Sequence, residues 1–131
     1  MQLCTVSVVV HVDAIISDLR QTEDRIVSQW REVSADEKHQ LRETFDEILR
    51  PLGLKTRLVV VERDNSIAMY FICIALSALM SLRDQWSSGQ LKDIVQSLFT
   101  LLSRDTLRVS GLSWPLSDYE RSLSFFGFEQ G

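Results

Sequence analysis

The sequence predicts a two-layer α/β sandwich, a four-stranded antiparallel sheet with helices on one face. Three observations predict it. Runs dense in β-branched residues fall at residues 3–11, 56–73 and 106–112, and stretches with apolar residues at helical spacing separate them. The turn dipeptide Asp64-Asn65 interrupts the middle run, folding it into a hairpin. The resulting order, β-α-α-β-β-α-α-β-α, sets two strand-helix-strand halves around that hairpin. The 131 residues suit one domain that buries roughly two thirds of the surface its unfolded chain exposes.

The elements follow in chain order. "LCTVSVVVH" forms the first strand, with Cys4, Val6, Val8 and Val10 inward and Thr5, Ser7 and Val9 outward. A helix or helix pair then covers Asp13 to Val33, its stripe being Ile15, Leu19, Ile26, Trp30 and Val33. Ser34 and Glu37 have the spacing of a capping box and start a second helix, with Leu41, Phe45, Ile48 and Leu49 inward. "RPLGL" ends it, because Pro51 cannot continue the helical ladder and Gly53 permits the turn. In the hairpin, a two-residue turn pairs Val61 with Ala68, Val59 with Tyr70 and Arg57 with Ile72. Leu58, Val60, Ile67, Met69 and Phe71 then take the opposite, inward face.

The run "SIAMYFICIALSALMSL" is the most apolar in the chain, yet it is shorter than the about 20 residues a spanning helix needs. It reads instead as the returning strand running into a helix from Ala75 to Trp86, which "SSG" breaks. A helix from Gln90 to Ser103 carries the cleanest stripe: Leu91, Ile94, Val95, Leu98, Phe99 and Leu102. "TLRVSGL" is the last strand, and Ser117 with Glu120, a second capping box, opens the last helix. No repeat or Pro/Gly-rich linker divides the chain, so residues 1–131 form one domain, and "GFEQG" reads as an exit toward further modules of a longer protein.

A net charge of −4 argues against nucleic-acid or anionic-membrane binding, which shows as a basic face. Cys4 and Cys73 lack paired spacing and read as free, buried thiols. The N-terminus lacks the basic region and cleavage site of a signal peptide, so a cytoplasmic protein is expected. No phosphate loop, dinucleotide fingerprint, CxxC pair, HExxH or GxSxG is present, and neither cofactor nor enzymatic activity is expected. Cys4, His11 and Asp13 resemble a catalytic set only in composition, since neighbours along a strand do not make a triad. Cys4, Cys73, His11 and His39 come from dispersed elements without ligand spacing. The three tryptophans read as core or rim packing. The ferredoxin- or RRM-like order raises RNA binding, but the hairpin offers only Tyr70 and Phe71, one on each face.

Several stretches resemble the N-terminal domain of the TRADD adaptor family. "VVVHVDAII" is similar to that family's passage from first strand to helix, and "VVVERDNSIAMYF" to its central hairpin. "SLRDQWSSGQLKDIVQSLFTLLSRDTLRVSGL" resembles its last long helix and fourth strand, and "DYERSLSFF" its C-terminal helix. The resemblance implies a non-enzymatic protein-interaction module in death or innate immune signalling, an adaptor or a receptor effector domain. It further implies that the open sheet face takes a TRAF-type partner, at positions matching Thr5 and Ser7 in the first strand and Val61, Arg63 and Ala68 in the hairpin. The aromatic anchors of that family are absent here.

The outward positions, Thr5, Ser7, Val9, Val59, Val61, Arg63, Ala68, Tyr70, Ile72 and Arg108, with Ser110, therefore form the candidate interaction face. Val9, Val59, Val61, Tyr70 and Ile72 make it more apolar than a solvated sheet requires, as interaction sites are. Its expected occupant is a TRAF-type signalling protein or, in a self-associating oligomerisation module, a second copy; an RRM-like RNA-binding domain is the third reading.

Overall fold

The computed structural model describes residues 3–14, 18–63, 65–104 and 106–127. The elements run β1 (Cys4–Ala14), α1 (Leu19–Ala35), α2 (Arg42–Leu49), a 3₁₀ turn (Arg50–Leu52), β2 (Thr56–Arg63), β3 (Ile67–Cys73), α3 (Leu76–Ser88), α4 (Gln90–Ser103), β4 (Leu107–Ser113) and α5 (Leu116–Phe125). The strands lie in the order β2-β3-β1-β4, every neighbouring pair antiparallel. This is the expected α/β sandwich, with β1 and β3 at the centre of the sheet.

Alternation builds the sheet. Cys4, Val6, Val8, Val10 and Val12 of β1 are buried while Thr5, Ser7, His11 and Asp13 are exposed, and β3 buries Ile67, Met69, Phe71 and Cys73. Helix α4, whose stripe from Leu91 to Leu102 is buried as expected, touches α1, α2, α3 and β4, while α1 touches β1 and β2 and α3 touches β2 and β3. Helix α4 is therefore the keystone of the helical layer. It also holds part of one edge of the sheet. Gln96 donates through Nε2 to the Leu107 carbonyl (3.2 Å) and accepts through Oε1 from the Val109 amide (2.7 Å), taking two backbone groups at the outer edge of β4.

Strand β4 pairs with Val9–Ala14, leaving the Cys4–Val8 half of β1 without a strand partner on that side among the described residues. Helix α5 packs against β1 and α3. Arg83 of α3 anchors it: its guanidinium lies 4.1 Å from the Trp86 ring centre, 5.1 Å from that of Trp114 and 5.0 Å from that of Tyr119, and donates to the Trp114 carbonyl at 2.7 Å. Among the described residues no helix is long and apolar enough to cross a membrane.

Four expectations are corrected. Strand β1 runs on through Asp13 to Ala14, and α1 starts only at Leu19, where the Asp18 carboxylate accepts from the Arg20 amide. Ile15 lies outside the described residues, and Leu19 is exposed rather than part of the inner stripe. Neither capping box forms. Ser34 lies in the last turn of α1 with its hydroxyl on the Arg31 carbonyl, and α2 begins at Arg42. Ser117 lies inside α5, whose cap position is Pro115.

The fourth correction is the hairpin register. Arg63 pairs with Ile67, so three residues rather than two separate the strands, and Val61 faces Met69, Val60 faces Tyr70 and Glu62 faces Ala68. A bulge at Val59 absorbs the slip, so Arg57 still pairs with Ile72 as expected. Val61 is consequently in the core at 1% exposure, and Val60 takes its place on the open face. The turn residue Asp64 is outside the described set.

Candidate interaction surface

The face of the sheet away from the helices presents three rows across the strands. Arg57, Ile72 and Thr5 form one; Val60, Tyr70 and Ser7 the next; Glu62, Ala68, Val9 and Ser113 the third. Val9, Val60, Ala68, Tyr70 and Ile72 are half-buried, which for a single sheet layer means their sides are shielded by one another and their tips meet solvent. Val59, the bulged residue, lines a depression of about 270 Å³ with Leu3, Leu54, Lys55, Arg57, Ile72 and Ile74. Leu54 is fully exposed there, Leu3 and Ile74 partly. The apolar face thus continues past the strand ends into a corner whose charged lining groups, Lys55 and Arg57, are both basic.

The opposite flank is polar. The His11 ring hydrogen-bonds Ser113 Oγ at 2.7 Å, Ser110 Oγ donates to the His11 carbonyl, and Asp13 pairs in register with exposed Arg108. The face therefore grades from hydrogen-bonded polar groups on β1 and β4 to apolar ones on β3 and β2.

Of the expected face residues, Thr5, Ser7, Val9, Ala68, Tyr70, Ile72 and Arg108 lie on it, and Val59 borders it. Two do not. Val61 points into the core, and Arg63 turns to the helical side, where Nε meets Glu23 at 3.2 Å and Nη1 meets Asp24 at 3.8 Å. Leu3, Leu54 and Ile74 were not expected. The signal available for Leu54 was its place directly after the helix-ending Pro51 and Gly53, where a leucine has no element to bury it.

The residue types associated with catalysis are not brought together. Cys4 faces the core while His11 and Asp13 of the same strand face outward, and no group of three or more His, Cys, Asp or Glu able to hold a metal occurs among the described residues. Cys4 and Cys73 are free, buried and paired directly across β1 and β3. Burial pushes the Cys73 thiol up to about 11, against a hydrogen bond shared with Thr56 and with a smaller push from Cys4. A larger depression of about 500 Å³ lies between α2 and the start of β2; Arg42 and Asp46, which line it, are ion-paired to each other at 2.9 Å.

No family model, curated protein or solved structure matches the chain.

Proposed function

We propose that the chain is a non-enzymatic adaptor or effector module of the TRADD N-terminal type, which recruits a cytoplasmic signalling protein of death or innate immune pathways through its open sheet face. One observation carries the reading: a sheet face, open among the described residues, whose central row, Val60, Tyr70 and Ser7, is flanked by Val9, Ala68 and Ile72 and runs on into the exposed Leu3, Leu54 and Ile74. A solvated sheet needs no such continuity, and contiguous apolar area of this kind serves recognition. Lys55 and Arg57 at its rim suit a partner that offers apolar side chains beside a carboxylate. The resemblance supplies the class of partner, a TRAF-type domain. RNA recognition has less to stand on, because Phe71 is in the core and leaves Tyr70 as the one aromatic of the hairpin pair on the face.

Binding of a purified TRAF-type domain, and recovery of partners from cytosolic lysate, is the test. Tyr70→Ala and Ile72→Glu should keep the wild-type circular dichroism and lose binding. Val61→Glu, by placing a carboxylate in the core, should instead unfold the domain or cost about 3 kcal/mol or more. Wild-type binding by both folded face variants would sink the proposal.

A further inference from the structure

The two edges of the sheet are unlike. Gln96 takes two backbone groups of β4, whereas β2, among the described residues, has β3 as its one strand neighbour and presents its other edge to no strand. Along that edge Leu58, Val59 and Val60 are half-buried, and Arg57 and Glu62 are exposed.

The sequence "RLVVVE" is nearly its own complement when read backwards, with Arg57 at one end and Glu62 at the other. In a regular strand these two would lie on opposite faces, because an odd number of positions separates them. The bulge at Val59 changes this. Arg57 stands opposite Ile72 and Glu62 opposite Ala68, so both project from the open face, while Thr56, Leu58, Val61 and Arg63 share the helical side.

We propose that β2 pairs antiparallel with β2 of a second copy of this chain, about a twofold axis through Val60, joining two sheets into one. In that register Leu58 meets Val61 of the second copy, Arg57 meets its Glu62, and Thr56 meets its Arg63, so each of these side chains meets one on its own face, with the bulged Val59 left between the pairs. The two symmetry-related Arg57–Glu62 contacts are opposite in charge. A slip of one residue sets Arg57 against Arg63 in one direction and Val61 in the other, each time opposing an outward side chain to an inward one. The bulge and charges that elsewhere blunt an edge here specify one partner, the same strand reversed.

The 131-residue chain should show a concentration-dependent mass in sedimentation equilibrium. Arg57→Glu and Glu62→Arg, both at exposed positions, should each weaken the dimer about tenfold or more while leaving circular dichroism unchanged. The double variant R57E/E62R should dimerise as wild type does, and an equimolar mixture of the two single variants should form a heterodimer. Tyr70→Ala should leave the dimer intact, which separates this edge from recruitment through the face. A chain monomeric at all concentrations, single variants that dimerise as wild type, a double variant as weak as the singles, or a dimer lost with Tyr70→Ala would each overturn the proposal.

Discussion

Cys73 is fully buried in the row Thr56, Cys73, Cys4 that crosses three strands, and its thiol is held up to about 11 from an ordinary 9.0. A thiol whose folded value is raised stays protonated when the unfolded chain has already lost its proton. Its contribution to stability is complete below pH 9 and falls as pH rises from there toward 11. Urea midpoints at pH 8 and pH 10.5 should therefore drop more in the wild type than in Cys73→Ala. Equal drops would place the alkaline sensitivity elsewhere. That both thiols are buried was legible from their places in apolar strand runs. Their pairing was not, since a strand pattern gives faces but not which residue of one strand stands beside which of another.

Helix α1 shows how far local signatures reach. Ser34 and Glu37 match a capping box in spacing, yet the helix carries on through Ser34 because Val33 is fully buried and fixes that turn against the core. The end of α1 is closed from another element instead, by Arg42 Nη1 donating to the carbonyls of Val33 (3.2 Å) and Ser34 (3.1 Å). Arg42→Ala should cost about 1–2 kcal/mol in thermal or chemical unfolding, and Ser34→Ala should change it by less than about 0.5 kcal/mol. A larger loss with Ser34→Ala would restore the cap. The β2–β3 hairpin failed in register for a related reason. In "LVVVE" a shift of one residue trades one valine for another, so hydrophobic alternation cannot detect a bulge, and only the neighbouring Met69 and the helices above Val61 decide which valine goes inside. The α4 stripe was read without error because six apolar positions at helical spacing have no equivalent alternative register.

At the scale of the whole molecule the element order was legible and carried the sheet topology with it, since two strand-helix-strand halves around a hairpin leave few arrangements that cross no connections. The seating of α5 was not. It depends on Arg83, a residue that reads as solvated helix surface but sits among Trp86, Trp114 and Tyr119. Arg83→Ala should cost about 1–3 kcal/mol and speed hydrogen exchange across Leu116–Phe125 more than elsewhere; Arg83→Lys should recover only part, lacking the flat guanidinium that stacks while donating to the Trp114 carbonyl. Uniform exchange changes in the alanine variant would mean α5 is held by other contacts.

The Gln96 amide has a consequence for assembly. A sheet with two open edges is bivalent, and edge-to-edge association of such units runs on into fibres. By occupying the Leu107 carbonyl and the Val109 amide, one side chain removes two of the backbone groups through which a further strand would add at this edge. In the proposed dimer the outer borders of the joined sheet are β4 together with the Cys4–Val8 half of β1, and on each of them Gln96 already holds the Leu107 carbonyl and the Val109 amide.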